Sequence, residues 1–265
     1  MRLPNRGFTL IEMIISIVLL AVIGLSLSAI IQHSMTIYTG TTDREELILQ
    51  GRFVTERMHK EIRDAVPNSV QVNSTETCIE WLPTVNTAVY ETLAITPEKS
   101  NIVRVLPERG IKLGDRLVVM PTSATELLSP LPTSGLGRIA QAAQDIDFTA
   151  GNDAEMVDIT LTQPTSFEEN SPAHRLYMYR KPLGYCVEGS QLFRYSDYPL
   201  SRPELSPSGL STGKRQLMAN NIKDASFNVE HPSLVRNGLV KLQFIFSDNN
   251  EEVRLDHDVL IFNTP

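Results

Sequence analysis

The feature that most constrains how this chain can fold is an apolar run near its N-terminus. Between Phe8 and Ile31 the sequence contains one charged residue, Glu12. As a helix, this run is about 36 Å long, which is enough to cross the roughly 30 Å hydrocarbon core of a bilayer. Arg2 and Arg6 precede it without any acidic residue, and such a charge bias predicts a cytoplasmic N-terminus and an exported remainder.

Two common interpretations of such a run leave part of it unexplained. A secretory signal cut after small residues such as Ser26 and Ser28 usually has a shorter apolar region, of about 7–15 residues. A simple membrane anchor gives Glu12 no role, although a carboxylate at the bilayer centre costs about 2.5–3.5 kcal/mol and usually marks a function. A third interpretation uses the residues at the start of the run.

The run begins with a short segment, RGFTLIE at residues 6–12, which resembles the processing site of type IV prepilins and type II secretion pseudopilins. The resemblance implies that a membrane-bound prepilin peptidase removes a leader of residues 1–7 by cutting between Gly7 and Phe8. It also implies methylation of the new Phe8 amine. Gly7 has no side chain, so the chain can enter a narrow protease site in an extended shape.

Glu12 lies one helical turn beyond Phe8, on the same face of the predicted helix. In a bundle of such helices, the carboxylate of one subunit can neutralise the Phe8 amine of a neighbour, and pairing avoids burying either charge alone. We therefore expect Glu12 and Phe8 to form an assembly charge pair. The apolar segment then serves first as a membrane span and later as part of a filament core.

The resemblance also implies partners and a location. The partners are the prepilin peptidase, other major and minor pilins, the inner-membrane assembly platform and inner-membrane lipid. The location is the bacterial inner membrane, crossed once, with the C-terminal domain in the periplasm or carried into a surface pilus. The net charge of −7 argues against a nucleic-acid partner, because bulk attraction to phosphate requires positive charge.

Helical periodicity continues beyond the membrane run. Apolar residues recur at helical spacing on one face, and they are Leu47, Val54, Met58, Ile62 and Ala65. Pro67 then ends the pattern. We expect one helix from Phe8 to about Val66, transmembrane at residues 8–31 and amphipathic at residues 32–66. Glycines weaken a helix by about 1 kcal/mol each relative to alanine, and three lie on this stretch: Gly24, Gly40 and Gly51.

Beyond residue 67 the period changes to two, the period of a half-buried strand. Alternation marks three segments, at residues 156–162, 240–246 and 253–259. The last two flank a turn-prone segment at residues 247–250 and predict a hairpin. A second hairpin is predicted around Gly189. Residues 67–265 are therefore expected to form a β-rich domain. The predicted class is α+β, a pilin-like fold in which a long N-terminal helix packs on an antiparallel sheet.

Shorter stretches indicate a branch within the family. The helix end at residues 50–65 resembles that of J-type minor pseudopilins and W-type minor pilins. Residues 77–83, 184–187 and 255–265 look most like a minor subunit of the mannose-sensitive haemagglutinin (MSHA) pilus. The resemblance implies a structural subunit that initiates, primes or caps pilus assembly. A J-type minor pseudopilin of type II secretion is the alternative within the family.

A second function class is an adhesive or ligand-binding subunit at a filament tip. Two segments rich in Ser, Pro, Thr and Gly, at residues 121–135 and 199–213, are expected to be exposed irregular loops that permit such a role. The sequence contains none of the common catalytic or nucleotide-binding motifs. We therefore expect neither an enzyme nor a cofactor.

The chain has two cysteines, Cys78 and Cys186. Both follow the membrane run on the exported side, where disulfides form and persist, so we expect a disulfide between them. Two buried thiols are the alternative. No metal site is expected, since two cysteines cannot form a four-thiolate zinc site and no two histidines lie at ligand spacing. His257 falls on the inward face of the last predicted strand and is expected to be a satisfied core or interface histidine.

Overall fold

The structure is a computed structural model that describes residues 9–147, 155–230 and 238–261. Its first element is α1 (Leu10–Arg63), a single helix of 54 residues that is about 80 Å long. The helix ends before the expected Val66, because the backbone N–H of Val66 donates to the carbonyl of Leu82 at 2.8 Å. The chain therefore leaves the helical ladder to pair with the β-rich part of the molecule.

The remaining described residues form one short helix and fifteen strands. The helix is α2 (Ala124–Leu128). In chain order the strands are β1 (Gln71–Val72), β2 (Cys78–Trp81), β3 (Asn86–Tyr90), β4 (Ser100–Pro107), β5 (Arg116–Val118), β6 (Leu136–Gly137), β7 (Ile139–Gln141), β8 (Val157–Phe167), β9 (Arg175–Tyr179), β10 (Leu183–Glu188), β11 (Gln191–Ser196), β12 (Lys214–Ala219), β13 (Ile222–Glu230), β14 (Gly238–Asp248) and β15 (Glu251–Ile261).

Across the described ranges these strands assemble into three sheets. A five-stranded sheet has the order β1-β2-β10-β11-β12, and a three-stranded sheet has the order β13-β14-β15. A seven-stranded sheet has the order β6-β8-β4-β3-β9-β5-β7, in which β6 and β8 are parallel. The other neighbouring strands run antiparallel. A long N-terminal helix followed by an antiparallel β-sheet domain confirms the predicted α+β class and is consistent with a pilin-like fold.

Both predicted hairpins are present. In β14–β15, Asp248 lies opposite Glu251, and the two residues between them, Asn249 and Asn250, have φ angles of 46° and 67°. Two successive positive φ angles are typical of the type I′ turn, whose twist matches that of antiparallel strands. In β10–β11, the turn is made at Gly189, with φ of 61°. Local turn chemistry therefore sets the register of both hairpins.

The second half of α1 packs on the three-stranded sheet and on the five-stranded sheet beside it. Its buried side chains share one core with aromatic residues of these sheets, including Trp81, Tyr185, Phe227, Phe244 and Phe246. A Cβ atom at Gly51 would overlap Leu255 Cδ1 and lie 3.0 Å from Phe246 Cε2. Gly51, a weak point by helix propensity alone, is therefore a position at which α1 packs closely against β14 and β15.

The two segments expected to be irregular loops are held by buried residues. Within residues 121–135, α2 begins where Ser123 Oγ accepts from the Glu126 N–H at 3.3 Å, and Leu127 is buried. Residues 199–213 fold against the cysteine-bearing strands, as described below. The sequence did not predict α2, because five residues are too few to show a helical period.

Candidate functional site: the N-terminal segment and its anchorage

The predicted processing site lies outside the described residues. Both Gly7 and Phe8 precede Thr9, at which the description begins. Glu12, the predicted partner of the Phe8 amine, lies in the first turn of α1. The part of the site that the structure contains therefore begins at Thr9.

Thr9 and Glu12 form a capping box at the start of α1. The Thr9 backbone N–H and hydroxyl each donate to Glu12 Oε2 at 2.9 Å, and the Glu12 N–H donates to Thr9 Oγ1 at 3.4 Å. These bonds satisfy backbone N–H groups that a helix start otherwise leaves free. Our sequence reasoning missed Thr9, although Thr followed three residues later by Glu is the signature of this cap.

The capping box holds the Glu12 carboxylate at the positive end of the helix dipole, where a negative charge is stabilised. Both bonds from Thr9 reach Oε2, and within the described residues Oε1 accepts no hydrogen bond. A carboxylate can accept up to about four hydrogen bonds. Glu12 therefore caps its own helix and still has an oxygen free to accept from an amine.

The first half of α1 is not covered by the rest of the described molecule. Every residue from Leu10 to Thr39 is exposed, and Leu20 and Leu25 are 69% and 74% exposed. By length and composition this helix can cross a membrane. Burial of one such side chain is worth about 1.5–3 kcal/mol. A row of them is stable when lipid or another apolar surface covers it.

A family profile described as the prokaryotic N-terminal methylation motif matches residues 2–28. The chain carries a prepilin signal. The searches of curated proteins and of solved structures each found no significant match. The prepilin signal supports a type IV pilin-like or pseudopilin-like subunit, and its long apolar helix fits membrane anchoring. It implies processing by a prepilin peptidase and assembly with pilins, and proteins of this kind are structural rather than enzymatic.

Glu61 attaches the second half of α1 to the five-stranded sheet. Its carboxylate accepts from Arg57 Nε on α1 at 2.7 Å, from Tyr185 Oη on β10 at 2.9 Å, and from Arg194 Nε on β11 at 3.2 Å. The hydrogen bond from Arg57 to Glu61 raises the pKa of that guanidinium, and burial raises the pKa of the Tyr185 hydroxyl. These contacts fix the direction of α1 relative to the domain.

Cys78 in β2 and Cys186 in β10 lie directly opposite each other in the five-stranded sheet. Their Cα atoms are 4.2 Å apart and their sulfur atoms are joined at 2.01 Å. Both residues are fully buried and pack with Tyr198 and Leu210, so residues 199–213 cover them. The structure thus brings the two predicted partners together, although 108 positions separate them in the chain.

A buried ionic cluster lies beside the cysteines, and sequence reasoning missed it. Glu80 in β2 is fully buried; its Oε1 pairs with Arg202 Nη2 at 2.6 Å, and its Oε2 accepts from Tyr198 Oη at 2.9 Å. Burial raises the pKa of Glu80 to about 7, against the opposing pull of Arg202. The available signal was a lone charge inside an otherwise apolar strand, since such a charge requires a partner.

His257 of β15, predicted to be a satisfied core or interface histidine, contacts His59 of α1: Nδ1 of His59 lies 2.8 Å from Nε2 of His257. Within residues 9–147, 155–230 and 238–261, no group of three or more His, Cys, Asp or Glu side chains is placed to hold a metal ion. The contacts of the described residues anchor the second half of α1 to the domain.

Proposed function

We propose that this chain is a minor pilin, a structural subunit that helps to initiate, prime or cap assembly of a type IV pilus of the MSHA type, of the kind represented by MshO. One observation carries the pilin-like part of the proposal, whereas the MSHA assignment rests on the resemblance of residues 77–83, 184–187 and 255–265. The prepilin signal at residues 2–28 is joined to a helix whose first half is exposed and whose second half is part of a β-rich core.

This division of the helix supports a subunit whose apolar helix moves from lipid into a filament. An exposed apolar helix of this length can be covered by lipid or by a bundle of similar helices. The contacts of Glu61 and the packing around Gly51 fix the domain to the other half of the same helix. Moving the helix from lipid into a filament therefore moves the domain with it.

At the N-terminus, we propose that prepilin peptidase cuts between Gly7 and Phe8, that the Phe8 amine is methylated, and that Glu12 pairs with the Phe8 amine of a neighbouring subunit. The pairing with a neighbouring amine is supported by Oε1 of Glu12, because this oxygen is an unused hydrogen-bond acceptor at the start of the helix. The paired charges then set the axial offset at which an incoming helix fits, since either charge alone is costly in a low-dielectric bundle.

The proposed division of the chain follows from these roles. A leader at residues 1–7 is removed, residues 8–31 span the membrane, residues 32–66 link the span to the domain, and residues 67–265 form the periplasmic domain. Protease treatment of intact cells and of spheroplasts tests this topology. We expect residues 67–265 to be cut only after the outer membrane is opened, unless the subunit has entered a surface pilus.

We also propose that the disulfide between Cys78 and Cys186 forms in the exported protein. Its support is the position of both cysteines opposite each other in a buried part of the sheet and the oxidising compartment that the topology implies. Alkylation of the unfolded, unreduced protein is expected to label neither cysteine. Labelling of both would show two buried thiols instead.

The function itself is tested by deleting the gene and counting surface pili. We expect pili to be lost or strongly reduced and to return with the wild-type chain. Normal pili with impaired protein secretion would identify a J-type pseudopilin. Normal pili that no longer bind a surface or ligand would identify a tip adhesin. Normal pili, secretion and adhesion would contradict a role in assembly.

A further inference from the structure

Two grooves adjoin on the surface where α1 ends. One, of about 850 Å³, follows the flank of α1 from Arg52 to Asp64 and is bounded by strand and loop residues that include Leu183. The other, of about 600 Å³, lies over β3 and the residues before it, from Thr84 to Val89. Asp64 and Thr84 line both. The two therefore form one continuous groove, which we call the α1–β3 groove.

The α1–β3 groove carries an excess of positive charge, although the chain as a whole has a net charge of −7. The cations that line it on α1 are Arg52, Arg57, Lys60 and Arg63. Those on strands and loops are Arg109, Arg175 and Arg194. The acids that line it are Glu56, Glu61, Asp64 and Glu108. A local excess of positive charge in an acidic protein attracts negatively charged partners to this surface.

Part of the charge is neutralised within the groove. The Glu61 carboxylate pairs with Arg57 at 2.7 Å and with Arg194 at 3.2 Å. Arg63 lies 3.6 Å from Asp64. These pairs account for two of the four acids, and they leave other cations of the groove without a carboxylate of their own.

Three exposed cations keep their charge available to a partner. Among the described residues, the side chains of Arg52, Lys60 and Arg109 form no hydrogen bond and no ion pair, and all three are exposed. The remaining acids, Glu56 and Glu108, are also exposed and lie beyond ion-pair distance of these cations. A ligand with several negative charges could therefore meet cations at both ends of the groove.

The helix end of the groove also offers apolar contacts. Phe53 lines it and is 55% exposed, and Pro83 and Leu183 line the same part. Leu49, one helical turn before Phe53, is 59% exposed. Covering an exposed aromatic side chain favours association. The occupant that fits this surface best therefore carries apolar side chains as well as negative charge.

The position of the groove along α1 argues against lipid as this occupant. With residues 8–31 as the proposed membrane span, Arg52 lies roughly 30 Å along the helix beyond Ile31. Charges in salt solution attract each other weakly beyond a Debye length of about 8 Å. An acidic glycan could reach the groove, but it has no apolar side chain to cover Phe53. An acidic peptide supplies both kinds of contact.

The dimensions of the groove indicate how long such a peptide is. From Phe53 to Asp64 the helix rises by about 16 Å, and the stretch from Thr84 to Val89 extends for about 17 Å. An extended chain advances about 3.3 Å per residue. A segment of about ten residues therefore fills the groove.

We propose that the α1–β3 groove binds an acidic, extended segment of a partner protein. An apolar side chain of the segment covers Phe53, and its carboxylates face Arg52, Lys60 and Arg109. This partner is additional to the helix contacts of a filament, and only the exclusion of lipid rests on the proposed membrane span.

The test pans the full-length protein in detergent micelles against a phage library of random peptides of about ten residues, with empty micelles for counter-selection. We expect the selected peptides to be enriched in Asp and Glu and to contain an apolar residue. Fluorescence anisotropy with a synthetic copy of a selected peptide then measures affinity. Lys60→Glu/Arg109→Glu should bind it about tenfold or more weakly, because two attractive pairs become repulsive. Phe53→Ser should also weaken binding.

The matched control is Lys99→Glu/Lys214→Glu, which changes the net charge equally at two exposed lysines that do not line the groove. It should bind within about twofold of the wild type. If Lys60→Glu/Arg109→Glu loses the urea unfolding transition of Trp81, Arg52→Glu takes its place.

Three results would overturn the proposal: selection of no acidic peptides, unchanged binding by the groove variants, or equal weakening in the groove and control variants. Binding of heparin without selection of acidic peptides would identify a surface for acidic glycans instead. Because peptide binding is measured on the purified protein, its failure is distinguishable from the pilus count that tests the proposed function.

Discussion

The two halves of α1 form one continuous helix but differ in what covers their apolar side chains. In the half from Leu10 to Thr39, all residues are exposed. In the half that follows, Leu47, Val54, Met58 and Ile62 are buried in the domain core. The apolar side chains of the first half therefore need lipid or other subunits to cover them, whereas those of the second half are covered by the domain of the same chain.

Polar side chains show the same contrast. In the first half, hydroxyl groups bond back to the helix itself: Ser16 donates to the Glu12 carbonyl at 2.7 Å and Ser26 to the Val22 carbonyl at 2.9 Å. Such internal satisfaction suits a segment in lipid, where water is absent. In the second half, Glu61 bonds to two strands of the domain. Among the described residues, the side chains of the exposed half thus make their hydrogen bonds within the helix and its cap.

The largest expected effect concerns the start of the first half. In Gly7→Val, a β-branched side chain would occupy the narrow site of the peptidase, so we expect the leader to stay on essentially all of the protein. Mass spectrometry of the membrane fraction measures this, with Phe8 as the methylated N-terminus of the wild type. The matched control is Gly24→Val, since an added Cβ at Gly24 meets no atom within 4 Å.

Normal cleavage of Gly7→Val would contradict the proposed site. A wild-type N-terminus near Ala29 would instead support a secretory signal, and the part of α1 before Ala29 would then be absent from the mature protein.

The next effect separates the use of Glu12 from simple membrane residence. We expect Glu12→Ala to leave cleavage and insertion intact, because a neutral residue enters lipid more readily, and to reduce cross-linking to other pilins by about tenfold or more, through loss of the charge pair. Thr9→Val is the control, since it removes the capping hydroxyl and keeps the carboxylate. Normal assembly of Glu12→Ala would show that charge pairing is not used.

A third test perturbs the domain and leaves the first half of α1 untouched. Arg202→Met removes the ion-pair partner of Glu80, and we expect the free energy of unfolding to fall by about 3–5 kcal/mol at pH 8. Since burial raises the pKa of Glu80 to about 7, its carboxyl holds a proton at pH 5, and the loss should be smaller there. Urea unfolding followed by fluorescence of Trp81, the single tryptophan, measures both values.

The double variant Glu80→Gln/Arg202→Met is the control for this test, because it removes both charges. Since the double variant has no carboxyl at position 80 to take up a proton, its free energy of unfolding should lack the contribution of Glu80 to the change between pH 5 and pH 8. An equal loss for Arg202→Met at the two pH values would show that Glu80 does not depend on Arg202 for its charge.

The smallest effect compares one substitution in the two halves. Gly51→Ala places a methyl group against Leu255 and Phe246, and we expect a loss of about 1–3 kcal/mol from overpacking, partly offset by better helix propensity. Gly24→Ala should leave unfolding of the domain unchanged within about 0.5 kcal/mol. If both substitutions changed the urea unfolding transition of Trp81 equally, the two halves of α1 would not differ in their contribution to the stability of the domain.

Much of the N-terminal site could be predicted because its signals are local. The apolar run, the segment around Gly7 and the position of Glu12 are readable without any knowledge of the fold. The capping box of Thr9 was also readable and was missed. The hairpin at Asn249 and Asn250 was predicted for the same reason, since turn residues and strand alternation lie within a few positions of each other.

The helix end shows where local signals stop being sufficient. Pro67 predicted an end near Val66, but α1 ends at Arg63, because Val66 pairs with Leu82. A proline marks the last position that a helix can reach, whereas a competing backbone partner decides where it stops. That partner lies outside the window in which a helical period is read.

By itself, the sequence determined the prepilin signal, the long helix, the β-rich remainder and the two hairpins. The signal is a short motif, and the other features depend on periodicity and hydrogen bonds between residues close together in the chain. The tertiary structure alone decided that Gly51 is a packing position, that Glu80 meets Arg202, and that His59 meets His257. These contacts join residues more than 100 positions apart, and only the pairing order of the strands brings them together. Residue types allow such contacts, but topology selects among them.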